Sequence, residues 1–521
     1  MLTRREFLEA SALAMALPAQ GCVARPLPVQ SPYGSAIPEL ATSLVVNDVH
    51  SQLNQTRVHA IVKPATVQDV QAAVVAARTE GRSVCVAGGR HAMGGQQFGD
   101  AAVLVDTRAL DDVHDLDADR GLVTVAGGIQ WPALLAHLDR TQQGRDRQWG
   151  IYQKQTGADR LSIGGALACN AHGRGLALGP LIQQVERFDI VGPDGQVRTC
   201  SRTENPGLFR LAIGGYGLFG VVTRVQLRLR PRVKVRRVVE IGETANIAER
   251  FEERIQAGFL YGDYQFATDA SRSNFLRRGV FSCYQPVPDD EPLTLHPTRF
   301  NPEDWARLTF YSHRYKRRAF KVYTSRYLKT SGQIYWADSQ LSAAYVDNYH
   351  EGLDRALGAK VSGTEMITEL YVPRPAVSTF MVGAAAALKR RRANVIYGTV
   401  RMIEKDDESV LAWARERYAC IIFNLHVDHT PVAMALAADA FRDLIDVAIA
   451  SGGSYYLTYH RWARKDQVEA CHPRMREFLA LKRQHDPDDV FQSNWYRHYR
   501  TLFAGPDPAA VPSDPAGHEG A

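Results

Sequence analysis

From His59 onward, short apolar runs alternate with amphipathic stretches in a regular order. Ile61 and Val62, stopped by Lys63-Pro64, read as a strand end. Val70, Ala73, Val74 and Ala77 recur at helical spacing, which predicts a helix over Val67–Glu80 with Thr66 as its N-cap. Val84–Ala87, Val103–Asp106 and Leu122–Ala126 are short apolar runs and predict strands. A helix begins at Trp131, with Pro132 in its first turn, and runs to Leu138. Asp189–Arg198 has an Asp-Gly turn between extended arms and predicts a hairpin. Thr223–Leu229 alternates and stops at Pro231. Farther along, three segments alternate with period two. Glu365, Glu369 and Tyr371 share one face, as do Tyr397, Thr399 and Arg401, and Asn424, His426 and Asp428. Each face meets either solvent or a ligand.

Composition changes this picture little. A chain of 521 residues predicts two or three folding units, and 45% hydrophobic with 23% charged residues is ordinary for globular protein. The net charge of +6 permits anionic ligands or a membrane surface. No nucleic-acid motif is present, so no nucleic-acid partner is expected. Two basic runs, His313–Arg318 and Lys389–Arg392, read as solvated faces, with peripheral contact to anionic lipid headgroups or a prenyl phosphate as the alternative. Seven cysteines form no Cys-x-x-Cys pair and no disulfide framework. His426 and His429 lie three apart on a strand and face opposite sides, so no metal site is expected.

The N-terminus reads as an address. Thr3-Arg4-Arg5-Glu6-Phe7-Leu8, followed by apolar Ala10–Leu17, is a twin-arginine signature within residues 1–24. It predicts export in folded, cofactor-loaded form to a periplasmic or other extracytoplasmic location, and the run is too short to span a bilayer. An amphipathic N-terminal helix of a cytoplasmic protein is the alternative. Ala19-Gln20-Gly21-Cys22 loosely matches a lipid-anchoring box, in which Gln20 fits poorly. Residues 25–53 read as a linker and 504–521 as a disordered tail.

Three segments carry chemistry. Val84-Cys-Val-Ala-Gly88-Gly89-Arg90-His91-Ala-Met-Gly94-Gly95 runs a strand into four glycines. Such density lets the backbone adopt positive φ and curl its N–H groups around an anion such as pyrophosphate. His91 would then sit near the ring system attached to the phosphates. Thr156–Gly175 holds Ser162-Ile163-Gly164-Gly165 and Asn170-Ala171-His172-Gly173, small residues against which a flat ligand can lie. Gly217-Leu-Phe-Gly220-Val221-Val222 leads into the alternating strand Thr223–Leu229.

In this order, over about residues 54–233, the segments resemble the vanillyl-alcohol-oxidase / p-cresol-methylhydroxylase-type FAD-linked oxidoreductases. The tail Gly452-Gly453-Ser-Tyr-Tyr456…Asp486-Pro487…Val490-Phe491-Gln-Ser493-Asn494 is similar to the family's C-terminal piece, which returns to the flavin. The chain looks most like the polyprenylphosphoryl-ribose oxidases, with aldonolactone and alditol oxidases further off. The resemblance implies an α+β fold: a two-part FAD-binding domain of the p-cresol methylhydroxylase type (54–233, completed by 453–503) and an α+β substrate cap domain built on an antiparallel sheet (234–452).

It also implies an FAD lined by Ala87, Gly88, Gly89, Arg90, His91, Ala92, Gly157, Ser162, Ile163, Gly164, Gly165, Cys169, Asn170, Ala171, His172, Val222 and Tyr456. In this family the histidine of the first glycine loop can be joined covalently to the flavin, and His91 occupies that position, although the polyprenyl branch has no histidine there. A noncovalent FAD with His91 packed against the ring is the alternative. A second link through cysteine is not expected, since Ala158 stands near that place and Cys169 lies beyond the glycines. Glu369 resembles a glutamate of the alditol oxidases, whose following arginine is replaced here by Tyr371. The lysine of the polyprenyl branch is replaced by Tyr459. Candidates for orienting substrate or taking its proton are therefore Glu369, Arg401, Asn424, His426, Tyr456 and Tyr459, with the base left open.

The implied activity is oxidation of a CH–OH group of a small sugar-, polyol- or lactone-like substrate by hydride transfer to flavin N5, with oxygen or another acceptor reoxidising the flavin. The alternatives are reduction of a C=C bond, as in the similar sterol side-chain reductases, and a flavin-binding protein without turnover.

Overall fold

The computed structural model describes residues 44–341 and 349–504. The export signature, most of the linker and nearly all of the tail lie outside them. The helix Val67–Thr79 opens with a capping box: Thr66 Oγ1 accepts from the Asp69 N–H (3.1 Å) and Asp69 accepts from the Thr66 N–H (3.0 Å). Its buried stripe of Val70, Val74 and Ala77 covers a three-stranded parallel sheet ordered Ala60–Val62, Val103–Asp106, Val84–Ala87. Parallel strands are covered on both faces, which is why Val103–Asp106 reads as one apolar run. The helix Trp131–Thr141 runs a turn beyond Leu138, because Asp139–Thr141 face solvent and leave no apolar signal.

A five-stranded antiparallel sheet follows, ordered Val197–Ser201, Val185–Val191, Val221–Arg228, Leu122–Ala126, Val113–Asp117. The hairpin between its first two strands turns at Gly195, whose φ of 76° suits glycine.

From Lys234 the chain builds an eight-stranded sheet. Its order is Ile334–Trp336, Lys234–Glu243, Arg278–Val287, Tyr261–Phe266, Val395–Ile403, Tyr418–Asp428, Gly363–Pro373, Ser454–Tyr455, with every pair antiparallel. Met366, Leu370 and Val372 join Leu425, Phe380, Phe441 and Leu444 in the core, beneath the helices Val377–Arg390 and Pro431–Ala450. The alternate residues of the same strands turn to a large cavity. The fold is thus a mixed helix/strand fold whose two large antiparallel sheets both contribute residues to the wall of that cavity.

The tail ties the two sides together. Ser454–Tyr455 extends the eight-stranded sheet at its edge, so the segment from 453 starts inside that sheet. The chain later returns to the glycine-loop strand, where Val84 donates to Val490 O (2.7 Å) and accepts from Gln492 N (2.9 Å). Asp486 shapes this return by accepting from the N–H groups of Val490 and Phe491 and from Lys482 Nζ at 2.8 Å, all in the interior. Among the described residues every cysteine is unpaired, and no helix is long and apolar enough to cross a membrane.

Candidate active site

The cavity, about 1460 Å³, runs from the glycine loop to the face of the eight-stranded sheet. Ordinary small-molecule sites hold about 300–1,000 Å³, so this one has room for a dinucleotide and a second ligand. Its floor forms where two loops interlock. A Cβ at Gly89 would stand 2.1 Å from the Arg160 carbonyl oxygen, and one at Gly88 would stand 1.9 Å from Ser162 Oγ. Only glycine permits that approach. Arg90 then turns left-handed (φ 59°), the conformation in which successive N–H groups curl into an anion-binding concavity. Its guanidinium is pinned by Asp106 at 2.9 Å, alongside Arg108 at 2.6 Å. Burial would raise the Asp106 carboxyl, but Arg108 and Arg90 hold it below its usual range.

His91 lines the cavity beside His50, with Nδ1 to Nε2 at 3.0 Å and ring centroids 4.9 Å apart. Burial, reinforced by His91, pushes the His50 pKa well down, so His50 is a neutral partner. His50 lies in the segment read as linker, 41 residues ahead of His91, and no local spacing marks it.

Ser162 caps the short helix Ile163–Ala168, accepting from Gly165 N at 3.2 Å. Gly88, Gly89, Arg90, Ala92, Gly157, Ser162, Gly164, Gly165, Cys169, Ala171, His172 and Val222 all line the cavity, as do Glu369, Arg401, Asn424, Tyr456 and Tyr459. Four expected residues do not. Ala87 and Ile163 are fully packed in apolar clusters. Asn170 is left-handed (φ 47°) and spends its side chain on Asp406 (2.9 Å) and the Ile182 N–H (3.0 Å). His426 sits past the cavity's rim, between Glu365 (3.3 Å) and Asp428 (3.2 Å) and edge-on to His313. Burial opposes charge on that ring, but the two carboxylates raise its pKa. His313, from the first basic run, turns inward to Glu365 at 3.0 Å instead of facing solvent.

Glu369 is the centre of the sheet-side wall and is 1% exposed. It accepts from Tyr371 OH (2.5 Å) and Tyr459 OH (3.2 Å) and lies 2.6 Å from His172 Nε2. Burial would raise its pKa, yet His172, Tyr371 and Cys420 hold it down at about 2. Tyr456 OH donates to the Cys169 carbonyl at 2.6 Å, and burial pushes its pKa well up, so it does not serve as a base. Burial also pushes the Cys169 thiol up to about 11, which keeps it from forming a reactive thiolate. Two sets of ligand-type atoms converge, His172 with Glu369 and Cys420, and His313 with Glu365 and His426. In each, the histidine and carboxylate already satisfy one another by hydrogen bonding.

Several buried polar atoms around the cavity have no protein partner among the described residues. On the loop side these are Thr156 Oγ1, Gln97 Oε1 and Gln155 Nε2. On the sheet side they are Glu365 Oε2, Arg401 Nε and Asn424 Oδ1. Buried polar groups rarely stay unpaired, so both walls are built to bond something between them. The glycine cradle, the unspent polar atoms and the cavity's size all fit FAD against the loop side.

Such a cradle facing a separate polar wall defines a flavoprotein with a second ligand site. Comparisons with known proteins agree: residues 58–201 match the family described as FAD binding domain. The "uncharacterized oxidoreductase ORF5 in fasciation locus" of Rhodococcoides fascians is 32% identical over 32% of this chain and 37% of its own length. Cytokinin dehydrogenase 10 of Oryza sativa subsp. japonica is 31% identical over 33% of this chain and 32% of its own. The chain thus spans about a third of the length of these relatives. L-gulono-1,4-lactone dehydrogenase of Mycobacterium tuberculosis is 23% identical over 84% of this chain and 95% of its own. The chain is thus similar to FAD-linked oxidoreductases, its residues 58–201 match an FAD binding domain, and its cofactor is FAD.

Proposed function

We propose that this protein dehydrogenates a CH–OH group of a small sugar-, polyol- or lactone-like molecule. The observation that carries this reading is the sheet-side wall, where an ionised Glu369 stands among the unspent polar atoms of Glu365, Arg401 and Asn424. A polyhydroxy substrate would satisfy all three. The lactone dehydrogenase similar to most of this chain supports the substrate class. FAD, when bound, supplies the two-electron acceptor. The chain's own task is to orient the substrate and receive its hydroxyl proton. A carboxylate held at about 2 cannot deprotonate a resting alcohol, so Glu369 receives the proton with or after hydride departure, when the hydroxyl has become strongly acidic. Tyr459 and Tyr371 keep the carboxylate aimed and ionised.

In this reading 54–233 and 453–503 form a two-part FAD-binding domain and 234–452 its substrate cap. The return of Val490–Gln492 to Val84 and the place of Tyr456 in the cavity wall support that division. His91 would hold the flavin covalently, oxygen or another acceptor would take the electrons of turnover, and residues 1–24 would direct export. The test is anaerobic bleaching of the bound flavin across polyols, aldonolactones and prenyl-linked sugars. Bleaching by one of these classes is expected. No bleaching by any alcohol, with oxidation of pre-reduced flavin by an enone or olefin, would overturn the reading in favour of a C=C reductase.

A further inference from the structure

Beyond the polar wall the cavity continues to a pair of arginines that the dehydrogenation does not use. Arg174 follows His172 by two residues and is 8% exposed, and Arg237 lies on the strand Lys234–Glu243. Both line the cavity. Their guanidinium carbons each stand 4.9 Å from the centroid of the same Tyr284 ring. Arg237 is further enclosed by Tyr327 and Tyr335, each at 5.3 Å.

The two cations share a single carboxylate. Asp263 lies 3.4 Å from Arg174 Nη1, and among the described residues no carboxylate lies in ion-pair range of Arg237. The remaining partners are amide, carbonyl and hydroxyl groups, and although burial opposes it, the two arginines pull the Tyr284 phenol below its usual range. Gln340 accepts from Arg174 through its carbonyl and from Arg237 through Oε1 (3.1 Å), and Arg237 also donates to Thr330 Oγ1 (3.1 Å) and the Tyr284 hydroxyl. The Nε–H groups of both arginines are buried with no acceptor among the described residues. Lys154, a neighbouring cation, is spent on Asp159 at 2.5 Å.

An interior positive charge without its full counter-charge is costly. Here the imbalance opens into a ligand cavity, where a bound anion offsets it. Guanidinium groups with free donors also match the geometry of carboxylate and phosphate oxygens. We propose that Arg174 and Arg237 form a subsite for an anionic group, a carboxylate or phosphate ester, on the substrate whose alcohol is oxidised at Glu369. The inference rests on the dehydrogenase reading and narrows its substrate to hydroxy acids or phosphorylated polyols.

The test uses the flavin-loaded full chain and matched ligands: D-gluconate and D-glucitol 6-phosphate against neutral D-glucitol. Binding is read by perturbation of the visible flavin spectrum and by calorimetry, in wild type, Arg237→Gln and Arg237→Lys. One anionic ligand should bind about tenfold to a hundredfold tighter than glucitol, and which one tells carboxylate from phosphate. Arg237→Gln should bring that ratio close to one, and Arg237→Lys should restore part of it. Equal binding of charged and neutral ligands, binding of none, or an unchanged ratio in Arg237→Gln overturns the subsite. A thermal melt with intact flavin absorbance confirms that each variant is folded. Failure of the underlying reading looks different: flavin is then absent, or stays unbleached by every alcohol.

Discussion

Replacing Glu369 by Gln keeps the side chain's shape and removes its charge at the point where three donors converge. Holding this carboxyl at about 2 instead of its ordinary 4.5 corresponds to about 3 kcal/mol in favour of the ionised form, at roughly 1.36 kcal/mol per pKa unit. The folded-state pKa is depressed, so this stability is fully present above about pH 4.5 and is lost as pH falls toward 2. Glu369→Gln should therefore melt lower at neutral pH, by an amount on the order of 3 kcal/mol, and should lose that acid transition. Its effect on chemistry should be larger. Loss of the proton acceptor should slow flavin reduction by about 10²- to 10⁴-fold, measured anaerobically by stopped-flow absorbance with saturating substrate. Flavin content should stay near wild type, because Glu369 lies on the wall opposite the glycine cradle. Reduction at the wild-type rate would refute the proton-acceptor role. Unchanged stability at neutral pH would refute the ionised, three-donor picture of the site.

Three further outcomes test the rest of the cavity. His91→Ala should release all flavin on denaturing electrophoresis, and His50→Ala should lower the covalently bound fraction without abolishing it; a colourless wild-type band would remove the link. Gly89→Ala drives a Cβ toward the Arg160 carbonyl, so it should cost about 1–3 kcal/mol or more and deplete bound flavin, read by melting and absorbance ratio. Asp486→Ala removes one of the two carboxylates on the buried Lys482 ammonium, leaving Asp489 at 3.1 Å, and takes away the acceptor of the Val490 and Phe491 N–H groups, so it should destabilise by about 1–3 kcal/mol in a denaturant titration.

The cofactor side of this protein was legible in the chain because its requirements are local. Gly88 and Gly89 follow directly on an apolar strand, and Ser162 and Gly165 lie within one turn of each other. At Gly89 the Arg160 carbonyl comes too close for a Cβ, and at Gly88 the capping Ser162 hydroxyl does, so the glycines are written as a motif. Strand limits such as Val84–Ala87 and Leu122–Ala126 were equally plain, since a run covered on both faces must be apolar throughout.

The substrate side depended on tertiary placement. Period-two alternation put Asn424 and His426 on one face correctly, but cannot say where along the strand the cavity ends. His426 falls beyond that rim, among Glu365, Asp428 and His313. Asn170 sits inside a cofactor motif yet is consumed by Asp406, 236 residues later. His50 reaches His91, and Arg174 meets Arg237, Tyr284 and Asp263, only because distant strands and loops are brought together by the fold. By itself, then, the sequence determined the cofactor, because a backbone cradle imposes short-range rules on residue type. Which charges face the substrate was decided by the fold, because electrostatic neighbours are chosen by three-dimensional distance and leave no spacing along the chain.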